Sequence, residues 1–217
     1  MRWREEVLDQ DGLRAAGRLA EAAGKDFYLA GGTGLALRIG HRVSLDLDLF
    51  SRRVRLRARE RAVLIERLRT GGKLEVKEEK DGTLHLALGR TAVSLFYYPY
   101  PLLEPAQAWR GLRVASLADI AAMKVSAVIG RGSRKDFIDL HRCCLAMGLA
   151  KVLDAASRKF PDHGDLMIHA AKELVHFEDA EKEPLPRLLE PVAWAQVRRY
   201  FERKVPGALR RGPLGLR

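Results

Sequence analysis

The segment Ser44-Leu45-Asp46-Leu47-Asp48-Leu49-Phe50 alternates polar and apolar residues without a break. A period of two predicts a strand, with Leu45, Leu47 and Leu49 facing a core. Asp46 and Asp48 then share the opposite face, their alpha carbons about 7 Å apart. Aspartate is disfavoured in strands. Two on one face repel each other and call for a cation or strong hydrogen-bond donors. A hard divalent ion with oxygen ligands, Mg2+ or Mn2+, suits that donor set. Such an ion can bridge triphosphate oxygens and activate an attacking hydroxyl. A solvent-facing strand with ordinary exposed aspartates would carry the same pattern.

Upstream, Phe27-Tyr28-Leu29-Ala30 is a short apolar run that predicts a buried strand, and Gly31-Gly32 ends it. Thr33 to Ile39 reads as a short helix stopped by Gly40. Glycines at such a junction let a ligand approach the backbone closely. The helix N-terminus presents free N–H groups and a positive dipole end to a phosphate, and Thr33 adds a hydroxyl. A Gly-Gly link is also common in ordinary strand-to-helix turns. Together the two features set a candidate phosphate cradle close in sequence to a candidate metal-binding strand.

Around this centre the pattern is mixed. Residues 4 to 23 and 55 to 69 predict helices, the second strongly basic. Leu74 to Glu78, Thr83 to Leu88 and Thr91 to Tyr98 predict strands, with Gly89-Arg90 turning the last two into a hairpin. Leu112 to Ala115 adds a short strand. From Ser116 the pattern is helical, over 117 to 129, 134 to 147, 149 to 159, 164 to 176 and 188 to 204. Ser116 and Asp119 have capping-box spacing. The expected architecture is α+β: a mixed-sheet core over 1–115, followed by a helical region over 116–217 that completes the active-site cleft.

Charge bears on the partner. The chain carries a net charge of +11. Its basic residues cluster at Arg52, Arg53, Arg55, Arg57, Arg59 and Arg61, and again at Arg198, Arg199, Arg203, Lys204, Arg210 and Arg211. Such an excess suits a polyanion, for which RNA or DNA is the usual partner, and solvated helix faces would look alike. The apolar stretches are too short to span a bilayer, and Met1-Arg2-Trp3-Arg4-Glu5-Glu6 does not read as a secretory signal. Cys143 and Cys144 are adjacent, without zinc-ligand spacing and ill placed for a disulfide. The expected location is the cytoplasm, with no membrane partner. His163, His169 and His176 lack metal spacing, and Tyr97, Tyr98 and Tyr100 read as packing residues with base stacking as the alternative.

Thirteen residues separate Gly32 from Asp46. An apolar residue, Gly-Gly, a spacer of this size and Asp-x-Asp resemble the signature of the DNA polymerase beta-like nucleotidyltransferase superfamily. The run Ala30-Gly31-Gly32-Thr33-Gly34-Leu35, continuing through His41-Arg42-Val43-Ser44-Leu45-Asp46-Leu47-Asp48-Leu49-Phe50, is similar to one family within it, the AbiEii/AbiGii-type nucleotidyltransferases. That family includes toxins of toxin–antitoxin and phage-abortive-infection systems. A second block agrees: Ser116-Leu117-Ala118-Asp119-Ile120-Ala121-Ala122-Met123-Lys124, then Arg134-Lys135-Asp136-Phe137-Ile138-Asp139-Leu140. The resemblance spans residues 27 to 140.

It implies a polymerase beta-like core that moves a nucleoside monophosphate from an NTP to an acceptor. The acceptor implied is an RNA 3′ end such as tRNA, and an antitoxin protein is a further partner. Asp46 and Asp48 would hold the metal, and Gly31, Gly32 and Thr33 the triphosphate. Arg42 and Ser44 are candidate phosphate contacts, with local structural bonds as the alternative. Lys124 lies on a helix apolar nearly all round, so it is buried and needs an anion. A nucleotide phosphate or a structural aspartate would serve. Asp136 and Asp139, at i, i+3 spacing, would pair with Lys124, order the site or assist the metal, unless they pair with Arg134, Lys135 or Arg142. Many superfamily members carry a third carboxylate on a later strand. Thr91 to Tyr98 has none, and Glu75, Glu78 and Glu79 precede the hairpin. Either two aspartates suffice, with help from Asp136 or Asp139, or activity is weakened. The alternatives kept open are a catalytically weak module that binds RNA or a protein, and an enzyme that modifies a protein hydroxyl or a small molecule.

Overall fold

A computed structural model describes residues 2–211, with side chains to residue 208. The side chains of Arg210 and Arg211, and Met1, lie outside the described residues. The chain divides into two compact units, Met1–Ser116 and Leu117–Arg217.

The first unit is built on a mixed sheet of seven strands. In chain order these are β1 (Tyr28–Leu29), β2 (Asp46–Ser51), β3 (Leu74–Lys80), β4 (Thr83–Leu88), β5 (Thr91–Tyr97), β6 (Gln107–Trp109) and β7 (Leu112–Val114). Their order across the sheet is β3-β4-β5-β2-β1-β7-β6. The β2–β5 and β1–β7 pairs are parallel and the rest antiparallel. Helices α1 (Gln10–Ala23) and α3 (Ala58–Arg69) pack with one sheet face, and α2 (Gly31–Ile39) links β1 to the approach of β2. That face supplies Leu47, Leu49, Leu84, Leu86, Leu88, Val93 and Leu95 to a core shared with Leu19, Leu64 and Leu68 of the helices. Each such leucine stabilises the unit by roughly 1.5–3 kcal/mol. The alternation that buries them turns Asp46, Asp48, Ser94 and His85 to the other face.

Several boundaries differ from expectation, each for a local reason. The helix expected over 4 to 23 begins at Gln10, because the Asp9 side chain accepts from Gly12 N at 2.7 Å and restarts the chain there. Gly31 and Gly32 are not a turn before α2 but its first residues. Leu45 is not a core residue. It is 64% exposed, and β2 begins one residue later. The neighbouring Ser44 N–H donates to the Val7 carbonyl at 3.0 Å, so the chain joins the β5 ladder only at Asp46. β7 was expected over Leu112 to Ala115, but its hairpin partner β6 was not. The turn between them, Arg110-Gly111, holds both residues at positive φ (45° and 80°).

The second unit is helical: α4 (Leu117–Arg131), α5 (Arg134–Met147), α6 (Leu149–Lys159), α7 (Leu166–Glu173), α8 (Glu178–Lys182) and α9 (Trp194–Arg211). α4 is its buried centre, with Ile120, Ala121, Ala122, Val125 and Val128 almost fully enclosed and α5, α6 and α7 packed around it. Phe137, Phe177, Trp194 and Phe201 form an aromatic cluster with ring centroids 5.0–6.0 Å apart. The last helix was expected over 188 to 204. Pro191 delays its start and it continues through Pro206. Asp119 does not stay at the helix end as a simple cap partner. It is fully buried and accepts from Lys159 Nζ at 2.7 Å. No helix among the described residues is long and apolar enough to cross a membrane.

Candidate active site

β2 carries Asp46 and Asp48 on one face, Asp46 exposed and Asp48 half-buried. Their neighbours in the parallel β5 ladder are Ala92 and Ser94, and Ser94 in turn faces His85 on β4. His85 Nδ1 lies 2.9 Å from Ser94 Oγ. A row of Asp48, Ser94 and His85 therefore crosses the sheet, and β5 presents a hydroxyl, not a carboxylate, beside Asp48. The same face continues into aromatic packing: Phe50 stacks on Phe96 at 5.3 Å and meets Tyr98 edge-on at 5.3 Å, and Tyr98 meets Tyr100.

The start of α2 is fastened to this strand. Ala30 N donates to the Asp48 carbonyl at 3.1 Å, and Gly34 N makes the first helical bond, to Ala30 O, at 2.9 Å. The N–H groups of Gly31, Gly32 and Thr33 precede that bond and have no intrahelical acceptor. Gly31 sits at φ +62°, and a Cβ there would come within 2.7 Å of Asp48 Oδ2. A Cβ on Gly32 would run into the Arg42 guanidinium. The glycines thus let the helix start lie directly against a carboxylate and an arginine of its own unit. Ligand approach was the expected reason; the demand of these two neighbours is a further one.

Thr33, Arg42 and Ser44 are buried. The Thr33 hydroxyl lies 2.7 Å from Ser44 Oγ and against the Asp46 carbonyl. Arg42 donates to the Val43 carbonyl at 3.0 Å and to Ser44 Oγ at 3.4 Å. These three side chains fix α2 and Arg42 to the first residues of β2. The structure therefore brings Gly31, Gly32, Thr33, Arg42, Ser44, Asp46 and Asp48 together within the sheet unit.

Lys124, Asp136 and Asp139 gather in the helical unit. Lys124 Nζ donates to Asp136 at 2.8 Å and to Asp139 at 2.7 Å, all three side chains being buried. Asp136 also receives Arg131 Nε at 2.6 Å and the Ser133 hydroxyl at 2.6 Å. Burial pushes the Lys124 ammonium toward neutrality, but the charges of Asp139 and Asp136 outweigh it and hold its pKa above the ordinary lysine value. Burial likewise works to raise Asp136, and Arg131, Lys124 and Ser133 overcome it, leaving the carboxyl well below the usual range. Lys124 thus finds anions within its own unit.

Other side chains are chemically quiet. Burial pushes the Cys143 thiol well up and Cys144 up to about 12, which removes the thiolate needed of a nucleophile. Among the described residues there is no group of three or more His, Cys, Asp or Glu placed to hold a metal ion. Sequence reasoning missed His85 and the Lys159–Asp119 pair. The period-two pattern of Leu84, Leu86 and Leu88 puts His85 on the carboxylate face and was the available signal. Lys159 gave none, because it ends an amphipathic helix where an exposed cation is the ordinary case.

Comparison with known proteins gives a consistent picture. A family model described as nucleotidyl transferase AbiEii toxin, type IV toxin–antitoxin system, matches residues 15–213. An uncharacterized protein of Aquifex aeolicus (strain VF5) is 36% identical over 183 residues, covering 83% of this chain and 86% of that one. Among solved structures, MenT4, a nucleotidyltransferase toxin of Mycobacterium tuberculosis, superposes with a TM-score of 0.59 at 19% identity, over 90% of this chain and 84% of its own. ANT(2″)-Ia superposes with a TM-score of 0.52 at 19% identity, over 71% of this chain and 99% of its own.

Proposed function

The chain belongs to the AbiEii nucleotidyl transferase toxin family, and from that premise we propose that it transfers a nucleoside monophosphate from an NTP to an RNA 3′ end such as that of tRNA, in a Mg2+- or Mn2+-dependent reaction. It is a nucleotidyltransferase of a type IV toxin–antitoxin toxin family, with an NTP as substrate and an antitoxin as partner. In the proposed step the acceptor oxygen bonds to the α-phosphorus and the bond to pyrophosphate breaks.

One observation carries the reading: Asp46 and Asp48 share a sheet face against which the N-terminus of α2 is fastened, with Gly31 close on Asp48. The carboxylates supply hard oxygen donors, and the Gly31, Gly32 and Thr33 N–H groups suit a triphosphate. Mg2+ characteristically takes one or two carboxylates plus substrate phosphates, so a pair of aspartates is a sufficient protein share. When bound, the ion would neutralise the triphosphate and polarise the reacting phosphoryl group. Arg42 and Ser44 support the reading as the residues that hold β2 and α2 in register, with Arg42 adding positive charge beside Gly32. Lys124, Asp136 and Asp139 enter it on the similarity of their motif, beside the structural role that their mutual ion pairs give them.

The RNA acceptor rests on the net charge of +11. A second reading has its own support. ANT(2″)-Ia is described in complex with adenylyl-2″-tobramycin, a nucleotidylated small molecule. Incubation of the protein with each labelled NTP, total tRNA and cell protein, resolved on a gel, tests both. Label in the RNA band supports the proposal. Label confined to protein or to small molecules overturns the RNA acceptor, and no label in any fraction overturns the transfer reading. A cytoplasmic setting follows if the acceptor is tRNA.

A further inference from the structure

The helical unit holds an open cleft of about 560 Å³, bounded by α5, the segment before α9, and α9 itself. Its charged lining is Arg142, Arg199, Arg203 and Lys204, with no carboxylate among the lining residues. Arg142 is committed to Glu190, 3.1 Å away, and to main-chain carbonyls of the same segment. Arg199, Arg203 and Lys204 are exposed and make no ion pair among the described residues. Their neighbour Arg198, which does not line the cleft, pairs with both Glu181 and Glu202.

The spacing says what the cleft fits. Arg199 and Arg203 are one helical turn apart, and Arg199 to Lys204 spans about 7.5 Å of rise. Three open cations over that length exceed what a single phosphate needs and suit a run of phosphates. Between them the lining carries apolar surface from Tyr200, Val192 and Leu145, the last 58% exposed, beside the polar side chains of Gln196 and His141. Tyr200 is held edge-on against His141 at 4.9 Å and Phe201 at 5.3 Å, which makes it a rigid surface. Cations alternating with apolar and aromatic surface are the recognition pattern for single-stranded nucleic acid, whose phosphates take the arginines and whose bases take the apolar patches. An acidic peptide would use the charges and leave the apolar surface unused.

We propose that this cleft binds a single-stranded stretch of polynucleotide. That the bound strand is the acceptor rests on the nucleotidyl-transfer reading above; the binding itself does not. The test is fluorescence anisotropy of a labelled single-stranded oligoribonucleotide titrated with the full chain over a range of salt. Arg199→Glu/Arg203→Glu is expected to weaken binding at least tenfold and to lower the salt slope by roughly two. Lys151→Glu/Arg158→Glu, which makes the same change in net charge on exposed positions of α6, is expected to stay within about twofold of the parent. Equal loss in both variants, unchanged binding in the first, or displacement by polyglutamate as effective as by unlabelled RNA overturns the proposal. Lys204→Glu, a single change at an exposed position, is expected to weaken binding in the same direction, and melting curves confirm that each variant is folded. Labelled-NTP transfer run in parallel separates the two readings. Binding through the cleft without label in RNA sinks the RNA-acceptor reading alone. Label in RNA with the KM for RNA unchanged in the double variant sinks the cleft alone.

Discussion

Asp46 and Asp48 of the sheet unit and Asp136 and Asp139 of the helical unit are the same residue type at short spacing, set in opposite surroundings. The first pair lies on an open sheet face, Asp46 exposed and Asp48 half-buried. The second pair is wholly enclosed, sharing the Lys124 ammonium. An enclosed carboxylate must be neutralised from within, because leaving its charge unpaired costs several kcal/mol. A carboxylate on an open face is under no such demand, because water solvates its charge. Under the proposed function the contrast is between a face that meets a cation and a cluster that already holds one, and each prediction below acts on one side of it.

The largest effect is expected at Asp46. Asp46→Ala should lower nucleotide transfer by about 100- to 1,000-fold, while leaving stability within about 0.5 kcal/mol, as befits an exposed position. Gel incorporation of labelled NTP and a urea melt measure the two quantities. Transfer at the parental rate would remove Asp46 from the mechanism.

Lys124→Met should do the reverse on the stability axis. Removing the shared ammonium takes the lysine from enclosed Asp139 and leaves enclosed Asp136 with Arg131 and the Ser133 hydroxyl, at a cost of up to about 3–5 kcal/mol. The pH dependence has a definite sign. Lys124 has a raised pKa, so its contribution is fully present below the ordinary lysine value and is lost only as pH rises through the folded one. Asp136 has a lowered pKa, so its contribution is present above the ordinary aspartate value and is lost only as pH falls through the folded one. Between about pH 5 and 9 both contributions are intact, and this cluster adds no slope to the parent's stability. In Lys124→Met the two carboxylates that lost the ammonium favour protonation more than in the parent, so the deficit should shrink from pH 8 to pH 5. Thermal melts across that range check it, and a deficit independent of pH would show that lost packing, not lost charge, is the cause.

The two sides of the contrast were not equally legible in the sequence. The open pair announced itself, because a strict period of two fixes which residues share a face, and only the edge at Leu45 was misjudged, where a bond from Ser44 to Val7 delays the ladder. β4, α5 and α6 were read to the residue from their periodicity and bounding glycines, serine and proline-free runs. The enclosed cluster was half legible. The apolar surround of Lys124 demanded an anion, but nothing in a linear pattern chooses between a ligand and an aspartate twelve residues on. The aspartate partner appears only in the tertiary structure, as it does for Lys159 and Asp119, which no local rule connects. The roles of Gly31 and Gly32 were hidden for the same reason: their neighbours Asp48 and Arg42 reach them only once the strand and helix are placed.

Gly31→Ala probes the open side at a smaller scale. The new methyl would meet Asp48 Oδ2 at 2.7 Å, at a backbone φ of +62° that side chains rarely adopt. The strain should cost about 1–3 kcal/mol. Shifting either the helix start or the carboxylate should lower transfer at least tenfold with the metal-dependence retained. Gly17→Ala, where a Cβ meets nothing within 4 Å, is the control and should leave transfer unchanged.

The smallest effect is expected at Ser94, and it asks most directly whether the open face is a cation site. Ser94 is the β5 neighbour of Asp48, so Ser94→Asp sets a third carboxylate about 5 Å from the second on the adjacent strand. Like charges so placed repel, by about 0.2–1 kcal/mol for a cross-strand pair. In EDTA the variant should therefore melt a few degrees below the parent. Added Mg2+ should reverse that loss, because a hard cation gains a ligand there. The Mg2+-induced shift should exceed the parent's. Ser94→Asn keeps the size without the charge and should show no such gain, which separates the carboxylate from the lost bond to His85. If Ser94→Asp gains nothing from Mg2+ beyond what Ser94→Asn gains, the open pair is not a metal face, and the contrast with the enclosed cluster reduces to solvent exposure.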